Sequence, residues 1–397
     1  GIGNFRIFVS DVQIGVAKWI WRIRTRRVNE RMIREQEIWG DVTALLRSSL
    51  ADYHIDEVEL QDMDNVQWEK IFHLSYPHHL TALLYDSIRK LPQNGGLPSD
   101  TLLKFAVVTD KIEREYLHKR QVVAELSRFY RQHGITMMLL KGVGLSEYYP
   151  VPCHRSFSDV DIFLYGETQK ADRLLKQEFS IKICNDVHHH TTFKYKGVLV
   201  ENHYDFINTH DHRSAKQLDA VFKQLAAEPG RIIEIGGESV VLPSANFNAL
   251  FLMRHMAAHY AAERISLRHL CDWMMFLNRE HTHIDFKQVE LFYRQFNLYK
   301  FADAVNGILI DRLGLDAAML PPFERNHELE NRIFNDIVSP EFQIKRPAAG
   351  TMRIVVWKIR RFIANRWKHK IIYSEPWLVT FFQSFISHLI KPGTIKG

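Results

Sequence analysis

The feature that most constrains the fold is an abrupt change of hydrophobic periodicity near Gly134. Before this glycine the apolar residues fall at helical spacing, whereas ITMMLL (135–140) and DVDIFLY (159–165) are short apolar runs. Such runs are typical of buried strands. A helical pattern at 167–179 and two strand-like segments within 190–206 follow. The sequence therefore predicts an α+β protein, with a small mixed β-sheet flanked by helical N- and C-terminal regions.

The same change of pattern divides the chain into regions. Helical spacing returns after Pro243 and Ser244, which mark a helix start. The segment LPPFERNHELENRIFNDIVSPEF (320–342) is expected to be a looser connection. The predicted regions are a helical N-terminal region (1–133), a core that contains the sheet (134–242), a helical domain packing on this core (243–320) and a basic helical C-terminal region (321–397).

Composition narrows the class of protein. The chain has 397 residues, of which 46% are hydrophobic and 25% charged, the balance of a globular protein. Its three cysteines are scattered and form no CxxC pair, which argues against a disulfide framework and favours a reducing, cytoplasmic setting. No stretch reaches the roughly 20 apolar residues of a membrane-spanning helix, so no integral membrane segment is expected. The net charge of +6 permits an anionic partner without requiring one.

Two aspartates stand at the start of the second predicted strand. Asp159 and Asp161 are two positions apart, so their carboxylates share one side of the strand while Val160 points to the other. Paired carboxylates repel each other unless a cation lies between them, and Mg²⁺ is a cation that prefers such oxygen ligands. An exposed strand end with acidic residues is the simpler alternative.

A neighbouring strand supplies a third carboxylate. The segment VLVENHYDF (198–206) carries Glu201, with His203 on the same face and Asp205 two residues further on. We expect Glu201 to complete a site for two Mg²⁺ ions, which would clamp the attacking and leaving oxygens of an in-line displacement. His203 and Asp205 could instead orient an acceptor, since spacing alone does not identify a base.

Together these residues resemble a known family. The segment LLKG (139–142), Arg155 and SDVDIFL (158–164), followed by a histidine and a Glu-x-His strand, resemble the nucleotidyltransferase superfamily that includes DNA polymerase beta. The chain is more closely similar to an uncharacterised bacterial nucleotidyltransferase family whose members carry an LKG motif. A downstream pattern, H…H…LRHLCDW (255–273), is also similar, and the resemblance covers about residues 60–280.

The resemblance implies a role for each matching residue. It implies that Gly142 lets the backbone approach a triphosphate, and that His190 lies near the active site as an accessory residue, with His203. The implied catalytic and metal-binding set is Asp159, Asp161 and Glu201, and the implied nucleotide-binding residues are Lys141, Gly142, Arg155 and Ser158. The function expected from it is Mg²⁺-dependent transfer of NMP from an NTP to an unknown acceptor, either a small molecule or a protein hydroxyl.

Two positions depart from the wider superfamily's pattern. Val143 stands where a second small residue is usual, although Gly144 follows, and Lys141 takes a position often held by an aromatic or apolar residue. Lys141 could contact a phosphate, or pair with the acidic residues when no substrate is bound. Val143 motivates an alternative function, a catalytically silent nucleotide-binding or interaction module on the same fold. The presence of all three carboxylates argues against this alternative.

Two histidine motifs have simpler interpretations than metal binding. HMAAH places His255 and His259 at a zinc-compatible spacing but lacks the glutamate of HExxH, so we interpret both as structural histidines near the nucleotide site. In VHHHTT (187–192), adjacent strand residues point to alternate sides, and direct metal ligation is the less favoured interpretation.

The sharpest charge bias lies near the C-terminus. Residues 351–374 contain seven Lys or Arg and no Asp or Glu, interleaved with aromatic residues. We favour a helix packed by its aromatic side with a solvated basic face over a weak contact with an anionic membrane surface or nucleic acid. The same applies to WIWRIRTRRV (19–28).

Overall fold

The structure is a computed structural model that describes residues 37–51, 63–185, 188–209, 214–348 and 350–379. The basic segment 19–28 and residue 187 lie outside the described residues. The fold is α+β, as the sequence predicts. It has a six-stranded mixed sheet, and helices come both before and after the sheet along the chain. Within the described part of the chain, no helix is both long enough and apolar enough to cross a membrane.

Helices precede the sheet. They are α1 (37–50), α2 (Asn65–Ser75), α3 (Thr81–Lys90) and α4 (Ser99–Gln132). The 34-residue helix α4 ends at His133, and Gly134 follows with φ of +69°, a left-handed conformation that glycine adopts at little cost. This is the helix end that the sequence predicts at Gly134.

The sheet brings distant strands together in the order β3-β4-β2-β1-β6-β5. The strands are β1 (Met138–Leu139), β2 (Asp159–Phe163), β3 (His190–Tyr195), β4 (Val198–His203), β5 (Ile232–Ile235) and β6 (Glu238–Val241). β2 pairs parallel with β4 and antiparallel with β1, while β3 and β4 form an antiparallel hairpin. The first four strands lie where the apolar runs predict them, and the β5–β6 hairpin is an addition.

Helices α5 (Val143–Ser146) and α6 (Thr168–Phe179) connect the early strands. After the sheet's first hairpin come α7 (Ala215–Ala226), α8 (Ala245–Ala262), α9 (Leu267–Glu280), α10 (Phe286–Gln295), α11 (Tyr299–Ile308), α12 (His327–Val338), α13 (Thr351–Ala364) and α14 (Arg366–Ile372). The Ser244 hydroxyl accepts a hydrogen bond from the Phe247 amide at the start of α8, as the helix-start signal predicts.

One sequence expectation about the backbone is wrong. The segment 320–342 is not only a loose connection, because α12 occupies its middle. Asn326 caps this helix by accepting a hydrogen bond from the Leu329 amide, and Ile333 and Ile337 are buried. The three prolines and the many polar residues of the segment obscure this short apolar stripe.

Side chains on the two faces of β2 pack into two different hydrophobic cores. Val160 and Ile162 pack in one core with the second half of α4 and with α6. Phe163 and Met138 belong to the other, which runs from α1 to α14 and includes most of α8 and α9. The aspartates of β2 therefore project on the side of the sheet that α8 and α9 cover.

The basic C-terminal segment is partly built into this larger core. The Lys368 ammonium lies 2.5 Å from the Asp336 carboxylate, and both side chains are buried. The Arg332 guanidinium stacks 3.9 Å from the ring centroid of Trp367. In contrast, α13 exposes Met352 and Val356. Contact of 351–374 with an anionic surface stays the less favoured alternative, and the four region boundaries stay predictions.

Candidate active site

Three carboxylates converge on one face of the sheet, on the interior strands β2 and β4, and we call them the acidic edge: Asp159, Asp161 and Glu201. Parallel pairing of β2 and β4 makes Asp161 and Glu201 register partners, so their side chains lie beside each other. One ligand atom from each of these two residues and one from His203 lie within 4.8 Å of one another. Asp159 lies two residues before Asp161 on the same strand face. The structure thus brings the predicted catalytic residues together.

Lys141 lies against the acidic edge. Its ammonium is 2.8 Å from the nearer carboxylate oxygen of Asp161. Burial alone would lower the pKa of this lysine, but attraction to Asp161 and Asp159 outweighs it and raises the pKa. Lys141 therefore carries a positive charge at neutral pH. Of the two roles that the sequence leaves open for it, the structure shows the ion pair.

The electrostatic environment shifts the pKa values of the two aspartates in opposite directions. Burial would raise the pKa of Asp161, but Lys141 and His203 hold this pKa below its ordinary value. The pKa of Asp159 is instead raised, first by burial and then by repulsion from Asp161. The acidic edge therefore has more negative charge than Lys141 balances, and the charged form of Asp159 is disfavoured.

A glycine corner packs directly on the acidic edge. Gly142 adopts a φ of +53°, and a Cβ there would lie 3.2 Å from the carbonyl oxygen of Asp159 and 3.3 Å from the Phe157 ring. A side chain at this position would thus be strained and crowded. Ser158 donates a hydrogen bond of 3.2 Å from its hydroxyl to an Asp159 carboxylate oxygen. Val143 is fully buried in the smaller core.

Arg155 holds this corner in place, and we call Arg155, Asp272 and Arg268 the arginine clamp. The Arg155 guanidinium donates to both carboxylate oxygens of Asp272, at 2.6 and 2.9 Å, and to the Gly142 carbonyl at 3.0 Å. Only 2% of Arg155 is exposed. Arg155 therefore lies next to the predicted nucleotide site, but its hydrogen bonds tie the glycine corner to α9.

Asp272, the carboxylate of the clamp, pairs with two arginines. Arg268 lies 3.9 Å from Asp272, which is four residues further along α9, but Asp272 bonds chiefly to Arg155. Burial would raise the pKa of Asp272, yet Arg155 and Arg268 lower it to about 2. Burial and the positive charge of Arg155 lower the pKa of Arg268, although Asp272 opposes them. Positive charge is in excess at this end.

His203 and His190 contact the acidic edge. The Nε2 atom of His203 lies 3.1 Å from Asp161 and 3.7 Å from Glu201. Burial would lower the pKa of His203, but hydrogen bonds to these carboxylates raise it. The Nε2 atom of His190 lies 3.8 Å from Glu201, and burial lowers the pKa of His190 to about 4. His190 is therefore neutral at physiological pH.

The acidic edge and the arginine clamp open into one cleft of about 630 Å³ beneath α8 and α9. His255 and His259 line it from α8, with ring centroids 4.4 Å apart, and burial lowers the pKa of both. Sequence reasoning missed Arg254, His189 and the role of Asp272 in the clamp. The i, i+4 spacing of Arg268 and Asp272 is compatible with an ion pair on one helix, but no sequence pattern indicates the pairing of Asp272 with Arg155.

Comparison with known proteins shows which family the chain belongs to. The profile of a family described as uncharacterised nucleotidyltransferase matches residues 64–309. The chain belongs to this family. Membership supports a general role in nucleotidyl transfer and agrees with the resemblance carried by residues 139–164, while the LKG-type subgroup and a bacterial origin stay predictions.

Other comparisons are weaker. Among solved structures, an antigenic nucleotidyltransferase-like protein from Paracoccidioides brasiliensis is 18% identical, over 40% of this chain and 75% of its own. Its TM-score of 0.29 is too low to carry an argument. No curated protein matches the chain.

Proposed function

We propose that this family member transfers a nucleotidyl group from a nucleoside triphosphate to an acceptor hydroxyl, and that the reaction depends on Mg²⁺. The observation that carries the proposal is the acidic edge. Asp159, Asp161 and Glu201 meet inside a cleft with Lys141 as the cation in contact. A charge excess of this kind, in a partly open site, is suited to binding a divalent cation.

The donor set fits Mg²⁺. Carboxylate oxygens are the ligands that this hard cation prefers, and they leave coordination positions for water and phosphate oxygens. Asp159, Asp161 and Glu201 would hold one or two ions. Bound there, Mg²⁺ would neutralise charge on the triphosphate and on the attacking oxygen.

Buried cations in the same cleft support a polyanionic substrate. Arg254 is 7% exposed, and its Nε and Nη1 atoms bond to no group in the described ranges of the chain. The Nε atom of Arg268 is also without a hydrogen bond to any described residue. Guanidinium groups with unused donors are suited to phosphate oxygens. The cleft volume of about 630 Å³ lies within the range of nucleotide-sized ligands.

The chain's own residues would position the reactants. Lys141 would shift from Asp161 to a phosphate when metal arrives, because both cations compete for the same carboxylate. Gly142 would let its backbone lie close to the triphosphate. Arg155 acts on the substrate indirectly, by holding the Gly142 carbonyl, and is therefore a positioning residue.

The proposed reaction is an in-line displacement. The acceptor oxygen forms a bond to the α-phosphorus while the bond from this phosphorus to the bridging oxygen breaks, and pyrophosphate leaves with the electron pair. The proton of the acceptor hydroxyl passes to the acidic edge near Glu201. His203 holds Asp161 and Glu201 in place through the contacts of its Nε2 atom.

A second candidate is a silent nucleotide-binding or interaction module. It is favoured by Val143, which is buried in the core where the wider superfamily's pattern has a small residue beside the phosphates. Such a module would bind nucleotide at the same cleft but release no pyrophosphate.

Position-specific labelling tests the proposal. Purified protein would be incubated with Mg²⁺, cell extract and each NTP labelled at either the α- or the γ-phosphate. We expect the α-label on an acceptor and the γ-label in pyrophosphate, and both signals should be lost in Asp161→Asn. Acid precipitation then separates a protein acceptor from a small molecule.

Other outcomes contradict the proposal. A γ-label on the acceptor would identify phosphoryl transfer instead. Nucleotide that binds without any pyrophosphate release would support the silent module. Asp110→Asn is the control, because this aspartate pairs with Arg114 on the surface of α4.

A further inference from the structure

A group of nitrogen ligands lies beside the acidic edge, and we call it the three-histidine cluster: His189, His190 and His203. Antiparallel pairing of β3 and β4 places His190 directly opposite His203, and His189 precedes the strand. The ring centroids of His189 and His190 are 4.4 Å apart, and those of His190 and His203 are 5.0 Å apart. One ring nitrogen from each residue lies within 4.8 Å of the others.

Hydrogen-bond accounting shows unused ring nitrogens in this cluster. The Nδ1 atoms of His189 and His190 bond to no residue that the structure describes. His190 is 7% exposed and His203 4%, so two of the three rings are almost fully buried. A buried polar atom without a partner is costly, and its presence in a native fold calls for an explanation. A metal ion is a partner that would use such nitrogens.

The ligand chemistry differs from that of the acidic edge. Imidazole nitrogen is a borderline ligand that suits Zn²⁺, Co²⁺ and similar transition metals, whereas carboxylate oxygen suits Mg²⁺. Nitrogen ligands of a tetrahedral zinc ion lie roughly 3.3 Å apart, given zinc–nitrogen distances of about 2.0–2.1 Å. In the cluster one nitrogen from each ring lies within 4.8 Å of the others. His203 would bind the ion by giving up the 3.3 Å hydrogen bond of its Nδ1 atom to the Asp205 carbonyl, while its Nε2 atom would stay beside Asp161. The adjacent Glu201 would help to balance the charge of the ion.

We propose that the three-histidine cluster is a transition-metal site, distinct in ligand type from the Mg²⁺ site of the proposed function. It would take one borderline divalent ion, of which Zn²⁺ is the representative. An ion there would fix His203, and through it the orientation of Asp161 and Glu201. The proposal stands on the cluster's own geometry and does not depend on nucleotidyl transfer.

Cobalt absorption tests the site without measuring activity. The full chain, stripped with a chelator and dialysed, would be titrated with Co²⁺ while its visible d–d absorption is recorded. We expect a saturable band at one equivalent that Zn²⁺ abolishes and excess Mg²⁺ leaves unchanged. In His190→Gln the Co²⁺ affinity should fall by more than about 10-fold, which is the lower range for disrupting a metal site's supporting residues.

Matched variants locate the ion. His255→Gln changes another histidine that lines the same cleft and should keep the band. Asp159→Asn should also keep the band while losing Mg²⁺-dependent nucleotide binding. His189→Gln gives a second disruption of the cluster if His190→Gln does not fold, as judged by circular dichroism. Failure of nucleotide binding alone would leave the histidine site supported.

Three results would overturn the proposal. They are no band in the wild type, a band that Mg²⁺ displaces, and a band that survives both His190→Gln and His189→Gln. The second would assign the cobalt to the acidic edge.

Discussion

The acidic edge and the arginine clamp lie in the same cleft and have opposite charge balances. At the acidic edge, Asp159, Asp161 and Glu201 share Lys141 as the cation in contact. At the clamp, Arg155 and Arg268 share Asp272. Burial and then repulsion from Asp161 raise the pKa of Asp159, while burial and the charge of Arg155 lower the pKa of Arg268.

The difference shows what each region is suited to bind. A balanced buried pair, such as Lys368 with Asp336, satisfies itself and serves the fold. Neither end of the cleft is balanced in charge, because the acidic edge lacks cationic charge and the arginine clamp lacks anionic charge. A complex of a divalent metal with a polyphosphate supplies both at once.

The same substitution made in each region should have unequal effects on stability. Asp272→Asn leaves buried guanidinium charge unpaired, which typically costs about 3–5 kcal/mol, so the thermal unfolding midpoint should fall by several degrees or more. Asp159→Asn removes a repelled carboxylate and should leave the midpoint unchanged or higher. Circular dichroism melts of both variants check this.

A triple variant sharpens this comparison. Arg155→Met with Asp272→Leu and Arg268→Met replaces all three charges of the clamp by apolar groups and should recover much of the stability lost in Asp272→Asn. Equal destabilisation by the two asparagine variants would show that the acidic edge is a structural network like the clamp.

Replacing Lys141 should separate the binding of metal from that of nucleotide. Lys141→Met removes the cation that competes for Asp161, so Mn²⁺, used as a probe for Mg²⁺, should bind more tightly without nucleotide. Nucleotide affinity should fall by roughly 10-fold, equivalent to about 1.4 kcal/mol, because a phosphate contact is lost. Calorimetry measures both affinities.

The control for this experiment is Lys104→Met, since this lysine pairs with Glu69 far along the chain from the cleft residues. If Lys141→Met weakened metal and nucleotide binding by the same factor, competition between Lys141 and the metal would be excluded.

The smallest effect concerns the turn that carries Arg155. His154 lies between two carboxylates, with its Nδ1 2.7 Å from Asp86 and its Nε2 2.7 Å from Glu113. Burial would lower the pKa of His154, but these carboxylates raise it above the ordinary value. The stabilisation is therefore complete below the unfolded-state pKa and is lost as pH rises through the folded-state pKa.

Melting curves over a pH series measure this contribution. The difference in unfolding midpoint between the wild type and His154→Gln should be largest near about pH 6 and smaller near about pH 9. A difference that stays constant or grows with pH would show that His154 is not held as an imidazolium.

Local pattern predicted much of the fold and of the acidic edge. Alternation along β2 suffices to place Asp159 and Asp161 on one face, and the apolar runs locate β1 to β4. The position of Glu201 on the same face was predictable because segment 198–206 also has the side-chain alternation of a strand. Their roles in catalysis stay proposals, and the structure shows only that they meet.

The remaining features depend on contacts between distant segments. Arg155 and Asp272 are 117 positions apart, and neither has a local pattern that indicates the other. Arg254 lies within a mostly buried helix, so its position at the cleft depends on how α8 packs. The apolar stripe of α12 is short and stands among polar residues, so its periodicity is weak.

The most direct test of the central claim is calorimetric titration of ATP, GTP, CTP and UTP, with Mg²⁺ and with chelator, into the wild type and Asp159→Asn. The acidic edge predicts that at least one nucleotide binds the wild type only with Mg²⁺, and that this binding is lost in the variant. Binding that is equal with chelator, unchanged in Asp159→Asn, or absent for every nucleotide would contradict the claim that the acidic edge is a metal–nucleotide site.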